Sequence, residues 1–173
     1  PFMTAYPELI DVGIMHSCEH GKNGLCLQAG VQCYQDGFNK SGPNMALSDF
    51  IDIVTQSKGK VFQIALGGRG DPNKHENFEE ILFACRSNMI VPNYTTSGLS
   101  LTDKEVEFTK EYCGAVAVSW YRHQHTIDAI DKFLAAGCKT NIHYVLGNNT
   151  IDEAIDLIKT NGFPIGINAV IFL

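Results

Sequence analysis

The sequence predicts an α/β protein built on a parallel sheet. Three observations carry that expectation: six short β-rich apolar runs, a helix-period apolar pattern in each interval between them, and a recurrence of about 25 to 30 residues after a longer first interval. That recurrence is the size of a minimal βαβ unit with its right-handed crossover. The expected strands are Leu9–Met15, Val61–Leu66, Ile90–Thr95, Ala115–Trp120, Thr140–Leu146 and Ile167–Leu173.

Each element has its own local reason. The first strand opens on Leu9 and Ile10 and runs into a glycine-rich stretch from Cys18 to Pro43, longer than an ordinary connection; a helix with Phe50, Ile53 and Val54 on one face follows. The second strand ends at Gly67-Gly68-Arg69-Gly70-Asp71-Pro72, and the next helix carries Phe78, Ile81, Leu82 and Cys85. The third strand leads to a helix around Val106, opened by the capping box Thr102 with Glu105. The fourth precedes the Ile127, Ile130, Phe133, Leu134 helix, which Gly137 should stop. The fifth precedes a helix bearing Ile151, Ala154, Ile155 and Ile158, with a second box at Thr150 and Glu153 and a stop at Gly162. One helix is expected after each strand.

Composition bounds the function. A chain of 173 residues, 45% hydrophobic and 18% charged, is expected to form one domain over residues 1–173 with a full core. Its net charge of -6, with lysines and arginines scattered singly, gives no electrostatic footprint for nucleic acid. No apolar run reaches the roughly 18 to 20 residues that span a bilayer, and no secretion signal opens the chain. A cytoplasmic protein is expected, with its six cysteines held as free thiols. Because the chain starts at Pro1 and stops within an apolar run, it is expected to belong to something longer.

Successive strand residues point to opposite sides of a sheet, and here the two sides differ. One carries Phe62, Ile64, Leu66, Val116, Val118, Trp120, Ile142, Tyr144 and Leu146, suited to packing under helices. The other carries Asp11, Gly13, Gln63, Ala65, Asn93, Thr95, Ala115, Ala117, Ser119, Asn141, His143 and Asn168. An eight-stranded barrel fills its interior with branched apolar groups. This small, polar interior is instead expected to be a ligand cavity; the alternative is an open doubly wound sheet with one solvated face, against the rule that parallel sheets are covered on both sides.

The richest chemistry lies at strand ends. Cys18, Cys26 and Cys33 crowd the stretch after the first strand, and three thiolates so close in a reducing compartment point to a shared soft metal or an iron-sulfur cluster rather than to disulfides. The glycines of the Gly67–Asp71 turn let backbone approach a ligand, and an adjacent aspartate suits an ammonium group; the bland reading is a tight βα turn.

A cysteine loop after strand one, GGxGDP after strand two, Tyr94-Thr95-Thr96-Ser97-Gly98 after strand three and Ser119 at the end of strand four together make the chain, from Leu9 to Leu173, resemble the radical S-adenosylmethionine superfamily. The resemblance implies a partial (βα)6 TIM-type barrel, here running through the sixth strand, that holds a [4Fe-4S] cluster on three cysteines. One iron is left open to S-adenosylmethionine, which is cleaved reductively to a 5′-deoxyadenosyl radical that takes hydrogen from a substrate. It implies Cys18, Cys26 and Cys33 as cluster ligands, Gly67, Gly68 and Asp71 facing the methionyl amino group, and Thr95, Thr96, Ser97 and Ser119 lining the methionyl and ribose region. Asn141 and His143 face the expected cavity. An electron donor such as ferredoxin or flavodoxin, and a small-molecule or peptide substrate, are the implied partners; no substrate or catalytic residue is specified. The spacing departs from the family's compact C-x3-C-x2-C, with seven residues between Cys18 and Cys26 and six between Cys26 and Cys33. That departure keeps open a zinc site completed by His16 or His20. Two further readings are a zinc-dependent or metal-independent barrel lyase or isomerase and a non-catalytic small-ligand module.

Other residues are expected to be ordinary. Cys85, Cys113 and Cys138 fall at core positions. Arg122, His123 and His125 after the fourth strand read as a solvated loop or as ligands for a carboxylate, and Tyr34 as packing or as an aromatic beside the cluster.

Overall fold

A computed structural model describes residues 5–173. Strands β1 (Leu9–Met15), β2 (Gln63–Gly68), β3 (Val91–Thr96), β4 (Ala115–Ser119), β5 (Thr140–Tyr144) and β6 (Ala169–Phe172) pair in chain order, every pair parallel, as one open six-stranded sheet. With helices between successive strands this is a partial (βα)6 barrel. β2 runs two residues past its expected end because Gly67 pairs with Gly13 and Gly68 with Met15, across a register shift between Gly13 and Met15.

The connection after β1 departs from one helix per strand. It holds two single-turn helices, α1 (Glu19–Lys22) and α2 (Leu25–Gln28), before α3 (Leu47–Ser57). The later crossovers are α4 (Phe78–Ser87), α5 (Asp103–Tyr112), α6 (Gln124–Ala135) and α7 (Ile151–Thr160). Ile64, Leu66, Val116, Val118, Ile142 and Tyr144 are buried, and all but Tyr144 share one apolar cluster with Val54, Ile81, Leu82, Ile130 and Phe133 of the helices. Phe62 and Leu146 break the expected pattern: both are exposed, since each lies just outside its strand, where the pleat no longer dictates direction.

The opposite face is mostly small and polar in register, with Leu9, Val91 and Ile171 the apolar exceptions. Asp11, Ala65, Asn93 and Ala115 form one row, Thr95, Ala117, Asn141 and Ala169 a second, and Ser119, His143 and Ile171 a third.

Helix ends separate two expectations that hold from two corrections. Thr102 and Glu105 form the reciprocal capping box at the start of α5, and Glu105 also receives Lys74 Nζ at 2.8 Å. Thr102→Ala is expected to cost about 1 kcal/mol, read as a lower urea midpoint with an unchanged m-value. The Thr150–Glu153 box does not form. Thr150 Oγ1 instead bonds Val145 O and Gly147 N, both at 2.9 Å, and the Glu153 carboxylate receives the Tyr144 hydroxyl at 3.0 Å together with Arg122. Gly137 takes the left-handed conformation after α6 as expected, but after α7 that role falls to Asn161, one residue before Gly162. Among the described residues no helix is long and apolar enough to cross a membrane.

Candidate functional site

The polar sheet face and the strand-end loops enclose a cavity of about 350 Å³, within the range of small-ligand sites. Cys18, Cys26 and Cys33 line it from the β1 connection, Gly67, Gly68 and Asp71 from the β2 turn, and Thr95, Ser97, Ser119 and His143 from β3 to β5. Val145 and Leu173 are the only aliphatic residues among those described around it.

The two short helices explain how one loop presents separated thiols. Cys18 caps α1, its sulfur accepting the Gly21 N–H at 3.1 Å. Cys26 sits within α2, buried, with His20 Nδ1 3.1 Å from its sulfur. Cys33 follows α2 and is partly exposed. All three are free thiols. Burial raises the Cys18 thiol, with Asp71 and Cys33 adding to the rise, and pushes Cys26 up to about 11, with Cys18, Cys33 and Asp71 acting in the same direction. Among the described residues, no three His, Cys, Asp or Glu side chains converge on a point that suits one metal ion. The three thiols line one cavity. A single tetrahedral zinc would draw sulfur ligands to within about 3.8 Å of one another, given Zn–S bonds of about 2.3 Å, whereas a cluster anchors each thiolate on a different iron.

Asp71 joins two strand-end loops. Its carboxylate oxygens accept the Ser97 N–H at 2.7 Å and the Ser97 hydroxyl at 2.5 Å. Desolvation raises its carboxyl above the ordinary 3.8, opposed by the two Ser97 bonds and Lys74. The folded pKa exceeds the unfolded one, so the native state binds this proton more tightly, and the group's contribution to stability is lost as pH rises from 3.8 through the elevated value. Relative to Asp71→Asn, the unsubstituted chain should therefore gain stability as pH falls through that window, measured by urea midpoints at successive pH values.

Thr95 and His143 meet inside the cavity, Oγ1 and Nδ1 3.1 Å apart, and burial lowers the His143 pKa. Two expected site residues fall outside the lining. Thr96 alternates away from it, buried, its hydroxyl accepting the Gly98 N–H. Asn141 lies one register row behind His143 and accepts Asn168 Nδ2 at 3.0 Å. His16 is also outside the lining, exposed, with Nδ1 2.7 Å from Pro43 O. Tyr34, 91% exposed at the cavity rim, is not a packing residue. Cys85 is fully buried, and Cys113 and Cys138 pack against the core, as expected.

Several contacts that hold the site are not legible in the sequence, although His20, Arg122 and His123 stand out there as candidate ligands. Arg69 straps the cysteine loop to β2, with Nε donating to Gln35 O at 2.9 Å and Nη1 to His16 O at 3.0 Å. Arg122 donates to Ala29 O and to Glu153, and His123 Nε2 lies 3.1 Å from Leu25 O, so the segment after β4 is neither a free solvated loop nor a set of free carboxylate ligands. Tyr121 lines the cavity, its hydroxyl facing Cys26 and Ser119. Its ring stacks on His20 with centroids 4.4 Å apart. His20 is buried, and burial together with His125 and His123 depresses its pKa to about 4. The only sequence signal was indirect: an aromatic and histidine-rich run after a strand whose end lines a site.

No family model and no curated protein matches the chain. Solved structures do. SuiB of Streptococcus suis bound to S-adenosylmethionine is 18% identical, with a TM-score of 0.67 over 97% of this chain and 39% of that one; the same protein is also solved bound to the precursor peptide SuiA. anSMEcpe with bound AdoMet and the Cp18Cys peptide is 16% identical, with a TM-score of 0.69 over 95% of this chain and 50% of that one. BtrN in complex with AdoMet and 2-DOIA is 15% identical, with a TM-score of 0.59 over 82% of this chain and 57% of that one. At these identities the likeness is one of fold, shared with proteins that bind S-adenosylmethionine. The chain spans between about two-fifths and somewhat over half of their lengths.

Proposed function

We propose that the chain is the core of a radical S-adenosylmethionine enzyme. The observation that carries the reading is a cavity at the strand ends onto which three free thiols of one loop open, together with the hydroxyl and imidazole groups of Thr95, Ser119 and His143. Fold likeness to three proteins solved with S-adenosylmethionine supports it.

The donor set fits a [4Fe-4S] cluster on Cys18, Cys26 and Cys33: soft sulfur ligands, lining one cavity and close enough to perturb one another. Bound there, the cluster would supply the electron that cleaves the S-adenosylmethionine sulfonium and releases a hydrogen-abstracting 5′-deoxyadenosyl radical. The chain's own residues bind and orient. Gly67 and Gly68 keep the β2 turn low enough for a ligand's amino group to approach backbone. Asp71, already bonded to Ser97, acts by fixing the β2 and β3 loops relative to each other, and its charge favours an ammonium nearby. Thr95, Ser119 and His143 offer hydroxyl and imidazole partners to ribose or carboxylate oxygens.

A ferredoxin- or flavodoxin-like donor would supply the electron, and the substrate is a peptide or small molecule entering above the cavity. An aldolase-type barrel is less well supported, since no lysine stands among the described residues lining the cavity. The test is anaerobic reconstitution of the chain with iron and sulfide, then reduction with dithionite in the presence of S-adenosylmethionine. Methionine and 5′-deoxyadenosine should form together; a chain that carries its cluster and leaves S-adenosylmethionine intact refutes the reading.

A further inference from the structure

The contact between His20 and Cys26 joins two groups that neither the spacing of the cysteines nor the fold requires to meet. His20 is 1% exposed, and its Nδ1 lies 3.1 Å from Cys26 Sγ. Three rings surround it: Tyr121 stacks on it at 4.4 Å, His125 stands edge-on at 5.3 Å and His123 lies tilted at 6.1 Å. Its other nitrogen, Nε2, is buried with no hydrogen-bond partner among the described residues.

That orphan atom favours one tautomer. If the proton sat on Nε2, a donor would be buried unpaired while Nδ1 faced a sulfur with nothing to give once the thiol loses its proton to a metal. With the proton on Nδ1, the N–H points at the sulfur and the orphan is only a lone pair, the cheaper defect. A metal-bound thiolate accepts hydrogen bonds and does not donate them, so iron binding selects this tautomer further.

We propose that His20 is a positioning residue that donates an N–H···S hydrogen bond to the Cys26 thiolate and thereby raises the reduction potential of the cluster held there. The assignment rests on the reading of Cys26 as an iron ligand. A donor aimed at sulfur draws electron density from it and favours the more negative, reduced cluster; removing the donor lowers the potential. Cys18 has a backbone donor in Gly21, whereas Cys26 faces two side chains, His20 and the Tyr121 hydroxyl, of which the His20 contact is adjustable by substitution without altering the other.

The test is an electron paramagnetic resonance-monitored redox titration of the full chain, reconstituted anaerobically, with iron counted per chain. His20→Phe keeps a ring for Tyr121 and removes the donor; His20→Asn keeps an N–H near the position of Nδ1. The Phe variant should retain iron and shift its reduction equilibrium about tenfold toward the oxidised cluster, about 59 mV for one electron, while the Asn variant stays within a few-fold of the unsubstituted chain. A Phe variant that loses iron, beside an Asn variant that keeps both iron and potential, also supports the assignment, because the donor is then required for assembly. An unshifted Phe variant, equal shifts in both variants, or loss of iron from both overturns it. An unsubstituted chain that takes up no iron overturns the cluster reading itself, a failure visible before any potential is measured.

Discussion

Cys26→Ala, Cys18→Ala and Cys33→Ala should each abolish iron uptake by the reconstituted chain, while Cys85→Ala should bind as much iron as the unsubstituted protein. The expectation follows from where the sulfurs point. Cys18, Cys26 and Cys33 open on one cavity, whereas Cys85 is wholly buried on α4 among Ile81, Leu82 and Ile90, and desolvation pushes its thiol up to about 12. A cluster that keeps one iron free for another ligand has three protein anchors and no spare, so deleting one leaves an iron without protein support. Iron and sulfide per chain, with the broad absorbance near about 400 nm that iron-sulfur charge transfer gives, measure the outcome. Folding must be followed in parallel, because Cys85→Ala leaves a small core void worth on the order of 1 kcal/mol. A Cys26 variant that keeps its full iron content removes that residue from the ligand set and leaves two thiols, too few for the proposed cluster.

Much of this architecture is written locally in the chain. Strand β1 matches its expected bounds, the strand order and parallel pairing follow from repeat length and crossover handedness, and the polar inner face is readable from alternation because a strand's period of two leaves no freedom once the register is set. Where the chain left its strands, alternation failed: Phe62 and Leu146 were assigned to a face that no pleat imposes on them. The site divides the same way. Residues at strand ends, such as Thr95, Ser119 and His143, came out facing the cavity because the sheet places them there, while Thr96, expected there from the family resemblance, is turned away by that same alternation. The fastening of the cysteine loop was not legible. Arg69 bonds His16 across 53 positions and His123 approaches Leu25 across 98, and no short-range pattern encodes such partners. Thr150 shows the limit from the other side: its capping-box spacing is correct, but Tyr144 and Arg122 take the Glu153 carboxylate, and tertiary contacts prevail over a local motif.

Gly70→Ala is expected to unseat the cysteine loop without touching a cysteine. A methyl built on Gly70 would lie 2.0 Å from Ser17 O, 3.0 Å from Ser17 C and 3.1 Å from Cys18 Cα. All three are backbone atoms, so no side chain can swing aside, and the β2 turn must separate from the loop. That separation works against the Arg69 N–H to Met15 O bond of 2.7 Å and both Arg69 side-chain bonds to the loop. Overpacking of this kind costs about 3 kcal/mol, which for a chain of this size lowers Tm by roughly 6–12 °C, and the displaced Cys18 should cost the chain its iron as well. Gly68→Ala should act alike for two reasons at once, a φ of +116 that side chains rarely adopt and a methyl 2.3 Å from Met15 O. Gly67 supplies the contrast, since its methyl would meet nothing within 4 Å and its φ is ordinary, although the residue lines the same cavity. Gly67→Ala should keep both Tm and iron and weaken S-adenosylmethionine binding alone, seen as a higher Kd by calorimetry on the reconstituted chain. If Gly70→Ala instead melts with the unsubstituted protein and holds full iron, the close seating of the β2 turn on Ser17 and Cys18 is not what positions the thiols.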